Sequence, residues 1–348
     1  MKGGMRTDLF DYHLPKELIA QYPLPQRDHS KLMVLNRADR SIEHTVFYKI
    51  GEYLREGDVL VINDTRVIPA RLIGRKARTG GKVEMLLLKE RKPRIWDVLI
   101  KPVKKLYRGA IIEFGENGEL KAKFLGRSPD GVFTVSLRYK GDLREIIERI
   151  GKPPLPPYIK REPEELDRER YQCVYAEKNG SVAAPTAGLH FTRELLQKLQ
   201  EQGVKIARIT LHVGLGTFQP VKTEIVEKHR MHSERYEVTE EAARIINEAR
   251  EKGGRVVAVG TTSVRTLETV ADENGVIHPG SGETDLFIYP GYKFKVVDAL
   301  ITNFHLPRST LLMLVCAFAG REFVLRAYEE AVKMRYRFYS YGDAMLIL

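Results

Sequence analysis

Between residues 66 and 137 the chain breaks into six short runs rich in β-formers, at 68–73, 82–88, 95–100, 110–114, 120–125 and 132–137. Gly80-Gly81, Lys92-Pro93, Gly115, Gly118 and Pro129-Asp130-Gly131 punctuate them, each a place where backbone turns easily. Six strands at turn-limited spacing predict a small antiparallel barrel or sandwich.

The flanks obey different logic. Residues 31–36 and 41–46 read as two strands around the turn Arg37-Ala38-Asp39-Arg40, followed by a short helix and the apolar strand 59–62. Beyond the β-rich block, Lys152-Pro153-Pro154-Leu155-Pro156-Pro157-Tyr158 is a stiff, extended junction. Helix and strand then alternate. Thr192 caps a helix that Gly203 ends before a strand at 204–211, and Thr239 caps another that Gly253-Gly254 ends before a strand at 256–259. Neither flank completes a domain alone. The expected fold is α/β: a mixed-sheet main domain from residues 1–64 and 151–348, with a small antiparallel β-barrel inserted as 65–150.

At 348 residues the chain is long enough for two cores without staples. Cys173 and Cys316 are its two cysteines, too few for a four-thiolate metal site, and no export signal accompanies them, so reduced thiols in the cytoplasm are expected. The longest apolar run, 311–319, is too short to span a bilayer. A soluble monomer is expected. Lys and Arg number 57 against 46 Asp and Glu, a net charge of +11, which permits polyanion binding without requiring it.

Chemistry-bearing residues gather at strand ends in the second flank. Thr302-Asn303-Phe304-His305-Leu306-Pro307-Arg308-Ser309-Thr310 joins an apolar strand to an apolar helix, and reads either as a ligand site or as a turn capped by Ser309 or Thr310. Val259-Gly260-Thr261-Thr262-Ser263-Val264-Arg265 opens a helix after a strand, where free N–H groups attract a carboxylate, ribose or phosphate. It is neither a Walker loop nor a dinucleotide fingerprint. Ala184 to Thr192 is a loop of small residues carrying His190, and His212 to Phe218 has two glycines that leave room for a flat ring. His229 and His232 have a spacing that suits a metal on a helix, but no third ligand is nearby, so acid/base or substrate contact is the better reading. Glu283 and Asp285 lie beside a strand, placed to bind a cation or move a proton.

The motifs, in their order, resemble the S-adenosylmethionine:tRNA ribosyltransferase-isomerase family of queuosine biosynthesis. The resemblance rests on Asn63-Asp64-Thr65-Arg66-Val67-Ile68-Pro69-Ala70-Arg71, Pro154 to Ile159, His190-Phe191-Thr192, His212 to Phe218, Met231-His232-Ser233-Glu234, Gly260-Thr261-Thr262, Thr302 to Pro307 and Tyr341-Gly342-Asp343-Ala344-Met345. It extends from Met5 to Leu348; Cys173 stands where the family pattern has threonine.

The resemblance implies that the ribosyl part of S-adenosylmethionine is transferred and isomerised onto 7-aminomethyl-7-deazaguanine at the tRNA wobble position, releasing adenine and methionine. It also implies an α/β domain with an inserted barrel. Alternatives are a non-catalytic RNA-binding protein and an S-adenosylmethionine-dependent RNA methyltransferase. The implied reaction needs a base for the proton beside the sulfonium, for which His190, His212, His232 and His305 are candidates with pKa values near working pH. All four are expected to converge on one cleft with Gly260 and Thr261. Asp285, Glu283 or one of the same histidines would protonate departing adenine. Gly260, Thr261, Thr262 and Asn303 would bind ribose or adenine, Arg265 or Arg308 the methionine carboxylate, and Lys101, Lys104 and Lys105 the tRNA phosphates. No metal and no cofactor is demanded, because the sulfonium drives the chemistry. Asn303 and His305 are expected to be dispensable for apolar packing.

Overall fold

The computed structural model describes residues 4–104, 106–129, 131–214, 216 and 220–348. In chain order, β1 (Lys31–Leu35), β2 (Ile42–Val46), a 3-10 turn at Phe47–Glu52 and β3 (Val59–Asn63) lead to the short β4 (Thr65–Val67). Six strands follow: β5 (Arg71–Lys76), β6 (Lys82–Lys92), β7 (Ile95–Lys101), β8 (Ile111–Phe114), β9 (Leu120–Arg127) and β10 (Phe133–Tyr139). Then come α1 (Leu143–Ile150), α2 (Glu165–Arg170), β11 (Lys178–Ser181), α3 (Arg193–Glu201), β12 (Lys205–Leu211), β13 (Glu234–Val238), α4 (Glu240–Glu251), β14 (Val256–Val259) and α5 (Thr261–Val270). The last elements are β15 (Gly280–Thr284), β16 (Ala299–Asn303), α6 (Thr310–Ala319), α7 (Arg321–Lys333) and β17 (Ala344–Ile347).

Strands β5 to β10 close into an antiparallel barrel in the order β10-β7-β6-β5-β8-β9. Alternate residues point inward, so Val83, Met85 and Leu87 of β6 and Phe133, Val135 and Leu137 of β10 share one core with Ile146 and Ile147 of α1. The first barrel strand starts later than expected, at Arg71, because Pro69 has no N–H to give a ladder and Ala70 turns back to donate to the Ile68 carbonyl (2.7 Å). The proline-rich stretch after α1 pairs with this strand, Lys152 and Arg71 exchanging both backbone hydrogen bonds (2.8 and 3.2 Å).

The other long strands form a nine-stranded sheet, β15-β13-β12-β3-β14-β16-β17-β1-β2. Its centre, β12-β3-β14-β16, is parallel; β17 runs antiparallel to β16 and parallel to β1. Both faces are covered, which is why these strands read as continuous apolar runs. Val59 and Val61 of β3 face one core with α4 to α7, while Leu60 and Ile62 face another with α3 and Phe47. Right-handed crossovers dictate this division. The chain passes from β3 to β12 in one direction, with α3, and returns from β12 through β14 to β16 in the other, placing α4 and α5 on the opposite face. Thr192, Thr239 and Ser309 cap α3, α4 and α6 by accepting from Leu195, Ala242 and Leu312 N–H, as their sequence positions suggest.

Candidate active site

Four parallel strands bring four turns to one edge of the sheet; the neighbours β3 and β14 continue to helices on opposite faces, α3 and α5, so their turns diverge and leave a crevice. Asn63, at the end of β3, stitches the edge together. Its amide nitrogen donates to the Leu211 carbonyl (3.0 Å) and Thr262 Oγ1 (3.2 Å), while its oxygen accepts from Leu211 and Thr65 N–H (3.0 and 3.2 Å). The crevice is a cleft partly open to solvent. Gly260, Thr261 and Thr262, Thr302 to Leu306, Ala184 to Ala187, Val213, Tyr158 and Tyr339 line it. Gly260 takes φ +89°, a conformation that side chains resist, and no side chain caps the helix that follows. The first turn of α5 therefore presents N–H groups at the cleft.

Asn303 is 2 % exposed and its orientation is determined by its neighbours. The Tyr339 carbonyl can only accept, so the amide nitrogen faces it at 3.0 Å. That nitrogen's other hydrogen points to His190 Nε2 at 3.3 Å, which makes Nε2 an acceptor and puts the imidazole proton on Nδ1, donated to Ser30 Oγ at 2.7 Å. Asn303 Oδ1 is left without a partner among the described residues, a buried acceptor of a residue that lines the cleft.

His305 is the titratable imidazole among the described lining residues. Its ring Nε2 bonds Thr302 Oγ1 at 2.6 Å, its N–H donates to the Tyr328 hydroxyl at 2.9 Å, and its carbonyl accepts from the Tyr12 hydroxyl. At 9 % exposure it is wedged into the fold, contrary to the expectation that it contributes nothing to packing.

The expected convergence of four histidines is corrected by this geometry. His190 lies one residue behind the wall, stacked on Phe47 at 5.0 Å and touching the site through Asn303. His212 turns aside to Thr65 Oγ1 (2.8 Å) and packs on Gly180, where any Cβ would meet its ring at 2.8 Å. His232 is exposed beside Gly216, and Asp285 is exposed on the turn after β15. Nor do the buried rings titrate near neutrality. Burial pushes His190 and His305 down to about 3 and His212 down to about 4, because a charged imidazole cannot be hydrated there.

A stability prediction follows from these three rings. The unfolded chain takes up their protons near 6.5, the folded one only near 3 to 4, so stability is complete above pH 6.5 and is lost as pH falls toward 4. Each ring steepens the slope by up to about 1.4 kcal/mol per pH unit. Buried Asp64 and Asp343, whose carboxyls are raised, oppose the trend at its acid end. Melting curves from pH 7.5 to 4.5 should show this fall; a midpoint unchanged down to pH 5 would mean the rings are charged when folded.

The other expected contacts divide. Gly260, Thr261, Thr262 and Asn303 line the cleft as their turns suggested, and Arg265 and Arg308 do not. Arg265 is buried, its guanidinium donating to Glu234 and to the Leu286 carbonyl (3.1 Å), and Glu234 in turn accepts from Gly214 N–H at 2.8 Å. This pair anchors the turn after β12. Arg308 adopts φ +59° in a turn held by Phe10 and Val221. Glu283 is taken by Lys89 of the barrel (2.5 Å) and by the Ser233 hydroxyl (3.0 Å), which holds its carboxyl below the usual range. Lys101 and Lys104 are exposed on the barrel; Lys105 lies outside the described residues, as do Leu215, Thr217 and Phe218 of the expected glycine turn. No group of three or more potential metal ligands gathers among the described residues. No helix among them is long and apolar enough to cross a membrane.

Sequence reasoning missed the aromatic walls. Tyr158 and Tyr339, with ring centroids 4.7 Å apart, come from the proline-rich stretch and the turn before β17. The proline-rich run before Tyr158 was the available signal; for Tyr339 there was none.

Comparison with known proteins shows the family. The family model described as queuosine biosynthesis protein matches residues 7–347. The S-adenosylmethionine:tRNA ribosyltransferase-isomerase of Caldanaerobacter subterraneus subsp. tengcongensis is 57 % identical over 344 residues, 99 % of this chain and 100 % of that protein. The protein of the same name from Symbiobacterium thermophilum is 59 % identical over 344 residues, with the same coverage. A solved structure of S-adenosylmethionine tRNA ribosyltransferase from Thermotoga maritima is 45 % identical, covering 98 % of this chain and 100 % of that one with a TM-score of 0.56. With a matched span that takes in the sheet, the barrel and every turn of the cleft, this chain belongs to the queuosine biosynthesis protein family.

Proposed function

We propose that this chain is an S-adenosylmethionine:tRNA ribosyltransferase-isomerase. It transfers and isomerises the ribosyl moiety of S-adenosylmethionine onto 7-aminomethyl-7-deazaguanine at the tRNA wobble position, leaving epoxyqueuosine-tRNA, adenine and methionine. The observation that carries the reading is full-length identity of 57–59 % to proteins of that name. It works in the cytoplasm, as a monomer, without metal or redox cofactor.

The cleft suits such a cosubstrate. Tyr158 and Tyr339 offer faces to a flat base or a sulfonium cation. His305 is the general base of this reading. Burial keeps its ring neutral and free to accept the proton beside the sulfonium, and the same burial makes it a weak base, so its place on the cleft wall rather than its basicity selects it. The deciding experiment incubates the protein with S-adenosylmethionine and tRNA carrying the aminomethyl base. Adenine and methionine should appear in equal amounts. Methyl transfer to RNA, or RNA binding with no adenine, would overturn the reading.

Lys101 and Lys104 are the barrel's contribution to RNA affinity in this reading. Binding should weaken with salt at a log-log slope of about −0.7 to −0.9 per phosphate neutralised. Lys101→Ala with Lys104→Ala should lower affinity and reduce that slope while leaving S-adenosylmethionine binding intact. A slope unchanged in the double variant would remove these lysines from the RNA surface.

A further inference from the structure

S-adenosylmethionine carries a carboxylate, an ammonium and a sulfonium, yet no charged side chain lines the cleft among the described residues. Of the two arginines that sequence offered for the carboxylate, Arg265 is held by Glu234, and Arg308, whose Nε is buried without a partner among the described residues, is not among the residues lining the cleft. A cleft that binds this molecule must therefore meet its ionic head with dipoles. Two features of the same wall supply them. The uncapped first turn of α5 carries partial positive charge and free N–H groups. Beside it stands Asn303 Oδ1, buried, unpartnered and held in direction by the Tyr339 carbonyl and His190.

The two are neighbours by register. Val259 pairs with Ile301 on adjacent parallel strands, and Gly260 N–H donates to the Ile301 carbonyl at 2.7 Å, so the turns leave the sheet side by side, about 4.8 Å apart. Donors next to a fixed acceptor match a carboxylate and an ammonium borne on one carbon. An adenine edge also offers an acceptor beside a donor, but seating it here would spend the cleft's positive dipole on a neutral ring and leave the carboxylate without a counterpart. We propose that the α5 N-terminus and Asn303 form the subsite for the α-amino-acid head of the methionine portion. The carboxylate accepts from the first-turn N–H groups, and the ammonium donates to Asn303 Oδ1.

The inference rests on S-adenosylmethionine being the cosubstrate, and its test separates the two claims. Calorimetric titration of the full chain uses two probes: S-adenosylhomocysteine, which has the head, and 5′-methylthioadenosine, which lacks it. Asn303→Leu should weaken S-adenosylhomocysteine about 10- to 100-fold, the range for a hydrogen bond to a charged group, and leave methylthioadenosine unchanged. Thr261→Pro removes one N–H at the first helical position, where proline is tolerated, and should show the same selectivity; Thr261→Val, which keeps the N–H, should not. If Asn303→Leu misfolds, the Thr261 pair carries the test alone. Equal weakening of both probes would show that this wall reads the nucleoside and would overturn the subsite. If the unaltered protein binds neither probe, the cosubstrate reading falls with it.

Discussion

His305→Gln is expected to slow adenine release in a single turnover by about 10²–10⁴-fold, the usual worth of a positioned proton-transfer group. S-adenosylhomocysteine affinity should stay near that of the unaltered protein, because glutamine keeps the bulk of the ring and can still bond Thr302. The pH profile adds a signature that a packing defect would not produce. An ordinary histidine base would lose activity as pH falls through 6.5, whereas one pushed down to about 3 stays unprotonated, so the unaltered enzyme's rate should be flat from pH 8 to about 5.5. Near-normal turnover in the variant would take His305 out of the reaction, and a rate falling through pH 6.5 would assign the proton to a different group.

Arg265→Leu should destabilise the fold by about 3–5 kcal/mol, since it takes the guanidinium away from a buried carboxylate in a site where the two side chains are 3 % and 7 % exposed. The loss belongs to the buried carboxylate's lost counter-charge more than to the broken contact. Adding Glu234→Gln, which removes the carboxylate's charge and can still accept from Gly214 N–H, should recover much of it in urea unfolding. Were Arg265→Leu instead to leave the unfolding midpoint in place and raise only the KM for S-adenosylmethionine, the arginine would be a substrate ligand, as sequence alone suggested.

That contrast shows what the sequence carried. The barrel was legible because glycine and proline turns spaced its strands, and the cleft turns because each followed an apolar strand. Pairings between distant segments were not. Nothing near Arg265 on α5 marks Glu234, 31 positions away on strand β13, as its partner. Strand β13 and the edge strand β15 were hard to see because they carry polar residues, Glu-Arg-Tyr-Glu-Val and Gly-Ser-Gly-Glu-Thr. The histidines looked equivalent because each sits on a turn beside a strand or helix; burial, which sequence does not display, sets His190 and His305 apart from exposed His232.

The position of β17 has a consequence for how the molecule assembles. The β1–β2 hairpin and the barrel each form from contacts close in sequence, and both can nucleate early. Within the sheet the hairpin pairs with the rest through β17, which sits between β1 and β16; at that seam Lys31 N–H meets Asp343 across 312 positions. Closing so long a loop makes this weld the slow step of folding. During refolding, amides of β1 and β17 should gain protection from hydrogen exchange together, after those of the barrel. The Asn303 wall, built from β16 and the turn that leads into β17, would be completed with them, so cosubstrate binding should be the last property the refolding chain acquires.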